Sequence, residues 1–300
     1  SSSSVTSLNS NGFDIGGNAN TNHNTATYVA WSWKAGGSSG TFNIDGVSYA
    51  TAAAAGLTAG DVTPTGASVG TKQGFSIIRW TAPTWNGSPQ QVPHGLTQSP
   101  SFMITKVTDD IASWYCYHKD FHATSPEDYY IVMNDWASRG TLANAWGTNP
   151  PDNTTFGDRQ IGWSDDKDVI SYIWHDVPGL QKFGTYVGNE DTGGNGPFIE
   201  LGFHPSIIMI KNIDQGTSAA DWVIYDSERN KFNPSGKQLY PNRDIVEADD
   251  SGHYFDILSN GFKVRSTSTS DLTNATDTYI YCAWAKSPSV NLYGGQSNAR

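Results

Sequence analysis

Acidic residues cluster at five places in the sequence, and paired carboxylates are the groups with which a glycoside hydrolase works. The clusters are Asp109-Asp110, Glu127-Asp128, Asp165-Asp166-Asp168, Glu190-Asp191 and Asp249-Asp250. A glycosidase holds its two carboxyl groups about 5–5.5 Å or about 6.5–9.5 Å apart across a cleft, whereas adjacent residues on a strand point to opposite faces. Adjacency in sequence therefore does not build the pair, and solvated loops are the simpler interpretation of these acids.

Histidines and cysteines form no catalytic or metal-binding motif. The seven histidines show no HExxH spacing, and neither GxSxG nor a P-loop occurs. Cys116 and Cys282 stand singly in strand-like alternations, where a free cysteine is usually a small buried hydrophobe. We therefore predict no catalytic residues, no metal ligands and no cofactor. The oxygen-rich loops 163–168 and 189–196 would suit Ca²⁺, but they lack the spacing of an EF-hand.

The elements that carry these residues are predicted to be strands. Charged residues make up 16% of the 300 residues and aromatic residues 12%, with abundant Gly, Ser, Thr, Asn and Asp, which suits short strands joined by polar turns. The net charge of −11, with 18 scattered basic residues, argues against nucleic acid as a partner. No apolar run approaches the roughly 20 residues that span a bilayer, so we expect no membrane insertion. Four serines rather than Met open the chain, which suggests a piece of a longer protein.

A phrase that recurs along the chain predicts a tandem repeat. Trp33, Trp174 and Trp284 bring "YVAWSW", "VISYIW" and "YIYCAW" into register, and "NGF" precedes the first and third copies. A second pair of segments matches at Gly95 with Gly202, Pro100 with Pro205, Lys106 with Lys211, and Trp114 with Trp222. Each complete unit therefore consists of a lead strand, a central hairpin, a variable insert and a closing hairpin.

The repeat divides the chain into antiparallel β-sandwich units. The predicted segments are a closing hairpin of a truncated repeat at 1–36, a connector with a short helix in its Ala run at 37–73, a first complete repeat at 74–180 with a long insert at 123–166, a second complete repeat at 181–288, and a tail at 289–300. An isolated closing hairpin exposes an edge and an apolar face. We therefore expect residues 1–36 to pack on this chain or on a neighbouring subunit.

Tryptophans on the strand alternations are predicted to fill the cores. Four tryptophans stand outside the repeat frame, namely Trp85, Trp136, Trp146 and Trp163, and the last three of them fall in the long insert. Aromatic rings in Gly-, Asn- and Asp-rich loops can stack on a sugar while neighbouring polar groups take its hydroxyls. The candidate glycan-binding residues are Tyr129, Tyr130, Asp135, Trp136, Arg139, Asn144, Trp146 and Trp163. The alternative is that these rings pin the insert to the sandwich or fill a subunit contact.

Several linked motifs resemble a family of domains of uncharacterised function that recur in tandem near the C-termini of tail and tail-fibre-like structural proteins of marine and cyanobacterial phages. The motifs are "TYVAWSWKAGG", "GASVGTKQGFSII", "KFGTYVGN", "GPFIELGFHPSIIMIKN", "WVIYDSERN", "LSNGFKVRS" and "TYIYCAWAKSP". The resemblance implies a virion-exposed β-sandwich module that contacts other tail proteins and forms a homotrimer, as fibre proteins tend to do. It implies no catalytic residues.

We therefore expect a structural module of a phage tail fibre that binds a glycan on the host surface, on a virion exposed to the extracellular medium. Two alternatives stay open. One is a tailspike-type polysaccharide depolymerase, and the other is a purely structural fibre spacer or capsid decoration module.

Overall fold

The computed structural model describes residues 4–9, 11–250 and 252–288. The chain divides into two compact units, Ser1–Trp33 and Lys34–Arg300. In the first unit, β1 (Val5–Asn9) and β2 (Gly12–Ile15) form an antiparallel hairpin. The closing hairpin predicted at 1–36 requires a second strand at "YVAWSW", residues 28–33, and that part of the prediction is wrong, because these residues, which the structure describes, form no strand.

The second unit is built almost entirely of strands, which confirms the all-β prediction. Its first half contains β3 (Phe42–Ile44), β4 (Val47–Tyr49), β5 (Gly66–Gly70), β6 (Phe75–Thr81), β7 (Gln90–Pro93), β8 (Phe102–Val107), β9 (Tyr115–His118), a 3-10 turn (Pro126–Asp128), β10 (Tyr129–Val132), β11 (Gly140–Thr141), β12 (Thr155–Asp158) and β13 (Asp168–Trp174). Its second half contains β14 (Gln181–Val187), β15 (Phe198–Glu200), β16 (Pro205–Asn212), β17 (Val223–Asp226), β18 (Lys237–Gln238), β19 (Ala248–Asp249), β20 (Phe255–Leu258), β21 (Gly261–Val264) and β22 (Thr278–Ala285).

Two sandwiches account for the cores of this unit. The first consists of a nine-stranded sheet, ordered β11-β10-β9-β8-β13-β6-β5-β3-β4, packed against the pair β7-β12. Trp80 of the large sheet meets Phe156 of the small one with ring centroids 5.5 Å apart. The second sandwich packs the sheet β14-β22-β16-β17 against β15-β21-β20, with Tyr281 meeting Phe262 at 5.6 Å. Alternating side chains fill each interior, as strands with a period of two require.

The same four-strand order occurs in both sandwiches. The order of lead, closing, first central and second central strand is β6-β13-β8-β9 in one and β14-β22-β16-β17 in the other. Lys106 pairs with Ile170, four residues before Trp174, and Lys211 pairs with Ile280, four residues before Trp284. This shared register supports the tandem repeat, which stays a prediction until the two units are superposed.

An aromatic cluster joins the two large sheets to each other. Phe102 lies 5.9 Å from Phe183 in a stacked arrangement, and Trp174 lies 6.0 Å from Trp284 in a T-shaped one. Such pairs contribute about 0.5–1.5 kcal/mol each beyond the area that they bury. The two tryptophans that align in sequence therefore also meet in space, between the two sandwiches.

The segment 37–73 is more than the connector that the sequence predicts, because it adds β3, β4 and β5 to the first sheet. Asp45 and Gly46, both at positive φ, close the β3-β4 hairpin. The predicted helix in the Ala run is wrong: residues 51–57 form overlapping turns that end at Gly56, with φ of 75°. A glycine at positive φ ends a helical turn before it can propagate. The predicted tail at 289–300 lies outside the described residues.

Candidate functional site

Trp146, one of the predicted ligand-binding rings, lies in the core of the first sandwich. Only 2% of the residue is exposed, its ring meets Tyr117 edge-on at 5.9 Å, and its indole N–H donates to the carbonyl of Tyr129 at 2.9 Å. A ring without an exposed face cannot stack on a sugar. The prediction of ligand contact is therefore wrong for Trp146, which anchors the insert as the alternative interpretation required.

Asn144 has a structural role in the same part of the insert. It adopts a positive φ of 58°, a conformation that asparagine tolerates better than most residues. Its backbone N–H donates to the Asp128 carboxylate at 2.6 Å, which holds the turn before Trp146.

Tyr129 and Arg139 form an aromatic and cationic stack with His122. The Tyr129 ring lies parallel to His122 at 5.1 Å, and the Arg139 guanidinium lies 5.4 Å from the centre of the Tyr129 ring. Arg139 also pairs with Asp214 of the second sandwich at 3.3 Å and donates to the carbonyl of Phe121. Its charge is thus already used to hold the insert against the second sandwich.

Tyr130 and Trp163 pack around Tyr115 on the first sandwich. Both rings meet Tyr115 edge-on, at 5.6 Å and 5.9 Å, and both are only half-buried. Their main contacts are with the core beneath them.

Trp136 is the most exposed of the predicted rings, at 47%. Its carbonyl accepts a hydrogen bond from Lys211 Nζ at 3.0 Å, and the preceding Asp135 carboxylate accepts from the Ala137 N–H at 3.2 Å. These two hydrogen bonds fix the backbone at Trp136 and Ala137, while the indole ring of Trp136 faces solvent. The eight predicted residues fall into groups with different contacts, and the structure does not gather them into one site.

A different cluster presents an exposed ring among polar groups, and we name it the Trp85 cluster: Trp85, Arg159, Gln160 and Asp165. Trp85 is 37% exposed, and the Arg159 guanidinium lies 5.9 Å from its ring centre. Asp165 accepts from the Trp85 N–H at 2.9 Å and from Gln160 Nε2 at 3.0 Å. Trp85 follows β6, and the other three follow β12, so the loops at one end of the sandwich bring them together.

The cluster carries both signs of charge beside an apolar ring. The hydrogen bonds from Gln160 and from the Trp85 backbone lower the pKa of Asp165, which is therefore a carboxylate at neutral pH. Arg159 is a permanent cation that also donates to the carbonyl of Ala143. An acceptor, a donor and a ring face thus lie side by side.

Asp158 lies beneath this cluster and positions it. Burial raises the pKa of Asp158 to about 6, and its two oxygens accept from the Gln160 N–H at 2.7 Å and from Trp80 Nε1 at 3.3 Å. Gln160 adopts a positive φ of 59°, which Asp158 stabilises by receiving the Gln160 N–H. Because only 4% of Asp158 is exposed and both its oxygens are engaged, we assign it a positioning role.

The chain belongs to the family described as Domain of unknown function (DUF7483). The family's sequence model matches residues 1–288, which is nearly the whole chain. No curated protein and no solved structure matches the chain.

Because the DUF7483 description names no activity, function has to be argued from the site. Among the described residues, no group of three or more His, Cys, Asp or Glu is placed to hold a metal ion. In the same part of the chain, no helix is long and apolar enough to cross a membrane.

Sequence reasoning placed Trp85 outside the repeat frame but did not select it. The usable signal was local: Trp85 precedes Asn86 and Gly87 in a polar loop directly after a lead strand. The partners Arg159, Gln160 and Asp165 are about 75–80 residues away in the chain. The two loops come together because β6 pairs with β13 at one end of each loop and β7 pairs with β12 at the other.

Proposed function

We propose that this chain is a structural, receptor-binding module of a phage tail fibre or tail protein, and that it binds a host surface glycan at the Trp85 cluster. One observation carries the proposal. Trp85 keeps an exposed ring while its own N–H is hydrogen-bonded to Asp165, with Arg159 over the ring and Gln160 beside it.

This combination suits a sugar for chemical reasons. The apolar face of a pyranose stacks on an indole, while its hydroxyl groups need both donors and acceptors at the rim of the ring. Arg159 supplies donors, and Asp165 supplies an acceptor with a lowered pKa. Gln160 orients Asp165, because its Nε2 already donates to Asp165 and to the carbonyl of Pro83. Hydrogen bonds within the cluster hold these groups in place before the ligand arrives, which reduces the entropy lost on binding.

Stacking on one ring contributes only about 1 kcal/mol, so a single site would be weak. Several copies on one fibre would multiply that affinity through a high effective concentration. The motif resemblance to tail-fibre-like proteins, the proposed homotrimer and the proposed position on an extracellular virion are consistent with such multivalent binding. Trp136 offers a second exposed ring on another part of the same chain.

The test is binding of the purified 300-residue protein to an array of bacterial surface polysaccharides and to host cells. We expect Trp85→Ala and Asp165→Ala to reduce binding about tenfold or more, and Trp136→Ala to leave it within a factor of two. Loss with Trp136→Ala alone would move the site to Trp136. A fall in viscosity of a bound exopolysaccharide would instead favour a depolymerase, and binding to no glycan would favour the purely structural role.

A further inference from the structure

Each sandwich carries the same Trp and Lys pair on its central hairpin, and in the second sandwich that pair is covered. Trp222 is 0% exposed, and its indole N–H donates to the carbonyl of Val132 at 2.9 Å. Lys211 Nζ donates to the carbonyl of Trp136 at 3.0 Å. The segment 132–136 of the first sandwich thus presents two backbone carbonyls to the second.

The equivalent pair in the first sandwich is uncovered. Trp114 is 39% exposed, and the nearby Ile111 is fully exposed. Lys106 Nζ donates to the carbonyl of Val107 at 2.6 Å, just as Lys211 Nζ donates to the carbonyl of the residue after it, Asn212, at 2.8 Å. We call Lys106, Ile111 and Trp114 the Trp114 face.

The covering segment 132–136 also has an equivalent, residues 240–244. Each segment directly follows a residue that pairs with the second central strand: Ile131 pairs with Cys116, and Leu239 bridges to Ile224. An asparagine then fixes each segment to the backbone of its own sandwich.

That asparagine occupies the same place in both sandwiches. The Asn134 side-chain oxygen accepts a hydrogen bond from the backbone N–H of Trp114 at 2.9 Å. The Asn242 side-chain oxygen accepts one from the backbone N–H of Trp222 at 3.1 Å. By this register Tyr240 and Asp244 stand where Val132 and Trp136 stand in the first sandwich.

The segment 240–246 remains open to solvent. Ile245 is exposed over half its surface, and Val246 over most of its surface. Exposed apolar residues lie close together in sequence at both the Trp114 face and this segment, and contiguous exposed apolar surface is a mark of protein–protein contact. Each copy of the chain therefore carries both halves of a contact that it already makes once internally.

We propose that the Trp114 face of one copy binds residues 240–246 of a second copy. The Trp114 indole N–H would donate to the carbonyl of Tyr240, and Lys106 would donate to the carbonyl of Asp244. Tyr240 already accepts from the Arg243 N–H, and a carbonyl oxygen has a second lone pair for the indole. Ile111, Ile245 and Val246 are expected to lose water in the contact.

The contact joins two different surfaces, so it is head-to-tail. Such contacts close into rings when the rotation allows it and otherwise extend into filaments. The proposal concerns assembly and is independent of glycan recognition at the Trp85 cluster.

Light scattering on the 300-residue protein tests the contact. We expect the wild type to associate as its concentration rises, and both Trp114→Ala and the double variant Ile245→Asp/Val246→Asp to associate at least tenfold more weakly. Mixing the two variants should restore one contact per pair and give a dimer, because each retains the half that the other lacks. Trp85→Ala is the matched control, and it should associate like the wild type.

Three results would overturn the proposal: a wild type that is monomeric at every concentration, a Trp114→Ala variant that associates normally, or a mixture that forms no dimer. Circular dichroism and melting temperature identify a variant that fails to fold. In that case the pair Ile111→Cys/Val246→Cys decides the matter. A disulfide between chains supports the contact, while a disulfide within one chain, or none, contradicts it.

Discussion

Lys211 is the residue whose removal tests the packing between the two sandwiches most directly. Its side chain is fully buried, and Nζ donates to three carbonyls, those of Asn212, Ala220 and Trp136, at 2.8, 2.7 and 3.0 Å. Two of these hold the central hairpin, and the third holds the insert. We expect Lys211→Met to keep the volume of the side chain and to remove all three hydrogen bonds.

Two opposing terms set the size of the effect. A buried carbonyl that loses its donor costs about 1–3 kcal/mol, so three carbonyls cost roughly 3–9 kcal/mol. Burial lowers the pKa of Lys211 to about 8, from an ordinary value of 10.5, so removing the ammonium returns about 3 kcal/mol of desolvation cost. The hydrogen-bond term is larger at its midpoint, and we expect a net loss of about 3 kcal/mol in the free energy of unfolding.

Urea denaturation measures that loss, and Lys106→Met is the matched control. Lys106 is only half-buried and donates to Val107 and, at 3.4 Å, to Asp110, so its replacement should cost less than about 1 kcal/mol. Hydrogen exchange should also accelerate at the Arg139 N–H, which bonds to the carbonyl of Ile213. Equal stability of the two variants, or a Lys211→Met protein more stable than the wild type, would refute the reasoning.

The pH dependence gives a second readout of the same residue. Because the folded pKa of Lys211 is about 8 and the unfolded value is near 10.5, the unfolded chain binds more protons between these values. The free energy of unfolding therefore rises with pH across this window, by up to about 3 kcal/mol. Below pH 8 the ammonium is charged in both the folded and the unfolded chain, so the desolvation cost is present in full and does not vary with pH. The stability advantage of the wild type over Lys211→Met should therefore grow by about 2 kcal/mol between pH 7.5 and pH 9.5. An advantage that stays constant or shrinks over this range would exclude desolvation of Lys211 as the cause.

The remaining predictions concern three other places in the second unit. Trp146→Ala should cost about 3–5 kcal/mol in urea denaturation because it empties a core site, while Trp136→Ala should cost less than about 1 kcal/mol; similar values would contradict the assignment of Trp146 to the core. Asp158 has a folded pKa raised to about 6, so its contribution to the free energy of unfolding is fully present below about pH 4 and falls by roughly 3 kcal/mol as the pH rises through 6. Asp158→Asn should flatten that decline in stability. An unchanged pH profile of stability in this variant would exclude the buried carboxyl group as the cause. Gly46→Ala should lower stability by about 1 kcal/mol through its positive φ of 89°, since no side-chain clash awaits a Cβ there; an unchanged midpoint would show that the hairpin adapts.

The alternation of apolar and polar residues was enough to predict an all-β chain and the lead, central and closing strands of the two repeats, but not β3, β4 and β5. Side chains alternate between the two faces of a strand, so the sequence alone predicts that Ile170 and Trp174 lie on the same face. The matched positions Lys106 and Lys211 were visible in sequence for the same reason, because equal spacing on equal strands produces equal pairing. The Asp45-Gly46 dipeptide is also a local signal, because Asp-Gly is typical of a two-residue hairpin turn and would have predicted the β3-β4 hairpin.

Exposure of individual rings was decided by tertiary structure alone. Trp114 and Trp222 align in sequence and directly precede equivalent strands, β9 and β17, yet one is 39% exposed and the other 0%. The segment that covers Trp222 comes from the other sandwich. The Trp85 cluster likewise depends on loops that only sheet pairing brings together. Local pattern determines which way a side chain points from its own strand, but whether water or another segment meets it there depends on contacts far away in the chain.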